Sequence, residues 1–198
     1  WTAGVPRLPF FCIHGISSAA HENYHARVNP EDLTLSRQPL GEGAGDPVEV
    51  TWLGTAGFAI RASGHVLLID PYVTRAPLGR CAVGRLAPDH ARIAALLPEA
   101  DAIVLGHTHF DHALDAPHVA LATGARVLGS RSAAALCRAA GVPEARIEVV
   151  EPEAGQPPRE VEVGPFHLRF LPSAHSRLLL GRVPFAGEIA DCDDVPAR

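Results

Sequence analysis

The sequence predicts a layered α/β protein, and three observations predict it. Period-two apolar patterning over residues 48–52 and 58–62 gives way to a wholly apolar run at 66–69. The first two runs read as half-buried strands and the third as a central strand. Beyond them, helix-like segments alternate with short apolar strands as far as residue 150, which is the pattern of a sheet with helices packed on it. The third observation is polar. Gly106-His107-Thr108-His109-Phe110-Asp111-His112 comes directly after the apolar run 102–105, at a strand end, where α/β proteins place ligand sites.

Residues 1–47 read as an irregular leader, since Pro6, Pro9, Pro30, Pro39 and Pro47, with Gly41, Gly43 and Gly45, break the stretch into short pieces. His14, His21 and His25 fit no compact metal spacing. The domain is expected over 48–198. Its first two strands are joined by a turn at 54–57, and the third ends at Asp70 before Pro71. Residues 72–87, rich in Gly, Pro and Arg, predict a loop. That loop would bring Tyr72, Arg75 and Arg80 near the mouth of a site, where arginine can hold an anionic substrate, although solvated loop arginines are commoner.

A helix is expected over 88–97, stopped by Pro98, with Ile93, Leu96 and Leu97 facing the core and His90 on its polar side without a role. After the histidine cluster a short helix runs to about residue 122, ending at Gly124, with Pro117 tolerated in its first turn. Residues 126–128 form a strand. Ser130 or Ser132 caps an alanine-rich helix that closes at Gly141, and 147–150 form another strand. In the strand 166–171, Phe166, Leu168 and Phe170 point inward, leaving His167 and Arg169 outward.

Composition bounds the function. At 198 residues, 47% apolar and 20% charged, the chain is long enough for one domain with a sizeable core. A formal charge of -5 argues against an extended nucleic-acid surface, which clusters Lys and Arg. Cys12, Cys81, Cys137 and Cys192 are scattered with no Cys-x-x-Cys pair, so neither a zinc knuckle nor a redox motif is indicated. No apolar run reaches the ~20 residues of a membrane span, and residues 8–20 make a poor signal peptide. The cytoplasm is the expected location.

The cluster asks for a metal. Alternate side chains of an extended segment share one side, so His107 and His109 converge on one ion, while Asp111 and His112, where the chain begins to coil, suit a second ion beside it. Histidines that merely bond to carbonyls or water are the plainer reading of a single imidazole. Three imidazoles and a carboxylate within six positions at a strand end favour the metal.

His-x-His-x-Asp-His, together with residues 50–60, 66–71 and 171–176, resembles the metallo-β-lactamase fold superfamily from about Val48 to His175. The resemblance is to its broad hydrolase branch, which includes ascorbate-phosphate lactonase-like and N-acyl-phosphatidylethanolamine phospholipase D-like proteins. It implies an αββα sandwich built of two βα halves, of which this chain holds the N-terminal part. The lack of any methionine and the stop at Arg198 read as an excerpt whose second half is mostly absent. The resemblance also implies that His175 completes a three-imidazole set with His107 and His109, and that Asp70 supports the metal loop by hydrogen bonding.

It further implies zinc, as two ions, with manganese or iron as the other candidate metals. The expected activity is that of a metal-dependent hydrolase in which zinc-bound hydroxide attacks a lactone, ester or phosphodiester and Asp111 orients the nucleophile. The expected partner is a small-molecule substrate. A nuclease of the same superfamily, acting on RNA or DNA, and a non-catalytic metal-binding module are the alternatives.

Overall fold

A computed structural model of the chain describes residues 47–83, 86–151, 157–171 and 189. The leader 1–46, the acidic residues Asp191, Asp193 and Asp194, and the segment carrying His175 lie outside the described residues.

Three strands open the fold: β1 (Glu49–Gly54), β2 (Gly57–Ala62) and β3 (His65–Ile69). They pair antiparallel in sequence order, with Trp52 opposite Phe58 and Phe58 in turn opposite Ile69. Gly54, at φ +90, takes the left-handed conformation that lets β1 turn into β2. Next come α1 (Leu78–Val83), α2 (His90–Leu96), β4 (Ala102–Val104), α3 (Phe110–Ala113), α4 (Ala116–Thr123), β5 (Arg126–Gly129), α5 (Arg131–Ala139) and β6 (Ile147–Val149). A hairpin of β7 (Arg159–Val163) and β8 (Phe166–Phe170) completes the described chain.

The main sheet runs β1-β2-β3-β4-β5-β6, and from β3 onward its neighbours are parallel. Alternation along the strands sorts side chains to two faces. Val66, Leu68, Ile103 and Val127 face the helices, packing with Ile93, Leu97, Val119 and Cys137. Leu67, Ala102 and Leu128 face the other way and meet Val150 and Val163, with Val161, Phe166, Leu168 and Phe170 against them. The result is a helix layer, a six-stranded sheet and a second, two-stranded sheet, three of the layers of an α/β sandwich.

The helix ends follow the sequence. Asp89 caps α2, accepting from Arg92 N–H at 3.0 Å, and Ser130 caps α5, accepting from Ala133 N–H at 3.2 Å. Gly124 closes α4 in the left-handed region at φ +83.

Three expectations are corrected. The segment 72–87 is not all loop, because α1 forms within it. Leu96 is 51% exposed, since Ile93 and Leu97, one turn apart, occupy the core-facing stripe by themselves. β1 is not half-buried: at the sheet edge, Val48, Val50 and Trp52 are all exposed. His65, at the start of β3, is partly exposed and pairs with Asp101 at 3.6 Å. The strand β7 was not anticipated. Burial pushes the thiol of Cys137 up to about 12, as befits an inert core residue.

Candidate metal centre

The parallel strands carry their ladder one residue past their ends. Asp70 N–H donates to Val104 O at 2.9 Å, and Leu105 N–H to Leu128 O at 2.9 Å. Asp70 therefore sits at a fixed point, and it does so with φ +43, a left-handed backbone that costs an aspartate of order 1 kcal/mol. Its carboxylate is buried and reaches across to the histidine loop. Oδ1 accepts from Gly106 N–H at 2.8 Å and Oδ2 from His112 Nδ1 at 2.8 Å. Gly106 is needed for that approach, because a Cβ there would lie 3.1 Å from Asp70 Oδ2.

After a bend at Gly106 the chain is irregular to His109, whose backbone is extended, and then coils into α3. His107 Nε2 and His109 Nδ1 stand 3.0 Å apart, their rings edge to face at 4.6 Å. The His112 ring lies 3.8 Å from that of His107, so three imidazoles and the Asp70 carboxylate gather at the end of β4. Asp111 is at the rim, its Oδ2 3.8 Å from His112 Nε2 and its side chain 36% exposed. Among the described residues, no three His, Cys, Asp or Glu side chains converge into a ready metal cage. Burial alone would lower the His112 pKa, but the hydrogen bond and charge of Asp70, helped by Asp111, outweigh it and raise the value.

The neighbouring loop is held by a residue that sequence reasoning passed over. Asp115, fully buried, accepts from the N–H groups of Val73 and Thr74, each at 2.7 Å, and from Thr74 Oγ1 at 2.5 Å. Thr74 Oγ1 in turn accepts from Asp89 N–H at 2.7 Å, so one network joins the start of α4, the loop after β3 and the cap of α2. Burial is the main reason the Asp115 carboxyl is held above its ordinary range, partly countered by those bonds and by Arg75. Its one signal in the sequence, an Asp before Ala116-Pro117, reads as an ordinary helix cap, and here it makes no side-chain cap bond.

Arg75 does not reach outward for an anion. Its guanidinium donates to Leu53 O and, at 2.6 Å, to Thr55 Oγ1, and lies 5.1 Å over the Tyr72 ring. Tyr72 packs edge-on against Phe110 at 6.0 Å, bracing α3, and its hydroxyl accepts from Ala76 N–H at 2.7 Å. Arg80 lies on α1 and is exposed.

No helix among the described residues is long and apolar enough to cross a membrane. Comparison with known proteins gives curated relatives. A UPF0173 metal-dependent hydrolase of Myxococcus xanthus is 38% identical over 121 residues, covering 59% of this chain and 37% of that protein. One from Pyrobaculum arsenaticum is 32% identical over 101 residues, covering 50% of this chain and 40% of that protein. The chain thus spans 37–40% of the length of these curated relatives. Among solved structures, Igni18, described as a metallo hydrolase from the hyperthermophilic archaeon Ignicoccus hospitalis, aligns at 20% identity with a TM-score of 0.36, covering 57% of this chain and 42% of that one. The profile of the beta-lactamase superfamily domain matches residues 49–189, well over half of the sequence, and with the layered sheet and the histidine loop described above the chain belongs to that family, in the metallo-β-lactamase fold.

Proposed function

We propose that this chain carries the core of a metal-dependent hydrolase, with His107, His109, Asp111, His112 and His175 as metal ligands and a lactone, ester or phosphodiester as substrate. The observation that carries the reading is the His112–Asp70 couple. A buried carboxylate that accepts from Nδ1 at 2.8 Å leaves Nε2 as the ligand atom, which is how metal-binding imidazoles are held and oriented. The donor set fits as well. His107 Nε2 and His109 Nδ1 are 3.0 Å apart, near the spacing of two nitrogens that share one ion at about 2.0–2.1 Å each. Asp111 beside His112 Nε2 supports a second ion.

Zinc suits this set of imidazoles and carboxylate, and manganese and iron are the other metals it accepts. When bound, the metal supplies Lewis acidity, acidifying water and offsetting charge that develops on the substrate oxygen. The protein's own groups orient the chemistry. Asp70 locks the ring of His112, Gly106 N–H steadies Asp70, and Asp111 at the exposed rim accepts a hydrogen bond from the attacking water and aims it. The name borne by the curated relatives supports the reaction class, and the substrate class rests on the sequence resemblance. Cys81 and Cys137, free thiols, suit the reducing cytoplasm that we assign as the setting.

The test is elemental analysis of the purified protein together with hydrolysis assays on lactones, aryl esters, aryl phosphodiesters and RNA. The expected result is bound zinc and turnover of one of the first three classes, reduced about 100-fold or more by His107→Ala or His112→Ala. Cleavage of RNA alone would make the protein a nuclease. Full zinc occupancy without turnover of any substrate would make it a binding module.

A further inference from the structure

Away from the histidine loop, α2 and α4 bring two more imidazoles together. His90 opens α2 and His118 lies within α4, 28 residues later, yet His90 Nδ1 and His118 Nε2 are in direct contact. Their rings are 3.8 Å apart and meet edge to face at 75°. Both backbones are fixed. α2 is pinned by its Asp89 cap and by Ile93 in the core, while α4 is pinned by Val119 and Ala120, which are fully buried. Asp115 and Thr74 tie the starts of the two helices to each other. The backbone positions that bring the two rings together are therefore set by the fold.

Two imidazoles that meet nitrogen to nitrogen share either a proton or a cation. Burial, then the neighbouring His90, lowers the pKa of His118, and the opposing pull of Asp115 does not restore it, so the ring is a neutral donor at neutral pH. Neutral imidazole nitrogens suit zinc, nickel or copper, whereas magnesium and calcium seek oxygen. His90 is exposed and His118 partly so, which leaves room for water to complete the coordination.

We propose that His90 and His118 form a two-histidine site for a divalent transition-metal ion, bridging α2 and α4 and independent of the ligands at 107–112. An ion held there clamps the two helices whose starts meet at Thr74, and so stiffens the loop beside the histidine cluster.

Zn2+ titrated into the metal-free protein against a chromophoric chelator, with thermal unfolding followed in parallel, tests this. The wild type is expected to bind one more ion than His90→Ala or His118→Ala, and both variants lose part of the Zn2+-dependent rise in melting temperature. His107→Ala, which disables the loop site, is expected to keep the additional ion, so failure of the hydrolase reading would leave this result intact. His90 is exposed at a helix start, and His90→Ala keeps the test available should His118→Ala not fold. Equal ion counts and equal thermal shifts in the wild type and the His90→Ala variant would overturn the proposal.

Discussion

Asp70 and Asp115 are both buried carboxylates at the C-terminal edge of the parallel strands, and they hold that edge in opposite ways. Asp115 gives its oxygens to two backbone N–H groups and a hydroxyl, partners that neither titrate near neutral pH nor bind metal. Asp70 gives one oxygen to a backbone N–H and the other to an imidazole, and it pays for its place with a left-handed backbone. Burial of an acid thus does not by itself mark chemistry. What the acid holds does, and on that measure Asp115 is a clamp while Asp70 orients an imidazole.

The contrast can be broken by measurement. Asp115→Ala leaves three donors without an acceptor, one of them a hydroxyl free to turn, and is expected to cost about 3 kcal/mol in urea unfolding. Metal affinity of the protein that remains folded should hardly change. Asp70→Asn should do the reverse: a stability loss less than half as large, but loop metal affinity down about 10–100-fold, or about 1.4–2.7 kcal/mol, by chelator competition. If the two variants exchange these effects, the assignment of roles fails.

A smaller effect is expected from Gly106→Ala. The new Cβ, 3.1 Å from Asp70 Oδ2, requires the carboxylate to shift by a few tenths of an ångström, with an expected cost of about 1 kcal/mol of stability and a weakening of metal binding in the same direction as Asp70→Asn.

The pH dependence separates the two acids most finely. Burial raises the Asp115 carboxyl above its ordinary range, so the folded state holds this proton more tightly than the unfolded chain does. Its contribution to stability falls as pH rises from the ordinary carboxylate value near ~4 through the raised folded one, and recovers as pH drops back through that window. Asp115→Asn should flatten this part of the urea midpoint against pH. An identical slope in wild type and variant would show that the group does not titrate in this way.

The strand and helix order was legible because it rests on local signals. The wholly apolar run of β3, the Ser130 cap, and the closing glycines Gly124 and Gly141 each announce their element within a few residues. Phe166, Leu168 and Phe170 were correctly turned inward by period two alone. The misses have physical reasons. α1 is a short helix, LGRCAV, with a glycine inside and no acidic first turn. β1 has the alternation of a half-buried strand, but its place at the sheet edge, and not its pattern, sets its exposure. β7, Arg-Glu-Val-Glu-Val, alternates over only five residues, three of them charged, and so carries little apolar signal.

At the site, the gathering of the loop's imidazoles and their contact with Asp70 were legible from spacing and resemblance, because the loop's histidines are sequence neighbours. Asp115 with Thr74, 41 residues apart, and His90 with His118 were not, since only the packing of separate elements brings them together. Arg75 was misjudged for a related reason. A loop arginine reads as exposed until the carbonyl of Leu53, on a different strand, is seen to accept from it.

The parallel strands also end level with one another: Ile69 lies beside Val104, Val104 beside Leu128, and backbone bonds continue the row through Asp70, Leu105 and Val150. The points where the crossover segments depart are thus set by main-chain pairing, whatever side chains those segments carry. A row of anchors that is indifferent to side-chain identity leaves the sheet insensitive to the exposed part of each connecting segment. Swapping such an exposed part for a relative's, with the core-facing residues, Thr74 and Asp115 kept, should therefore leave the unfolding midpoint nearly where it was.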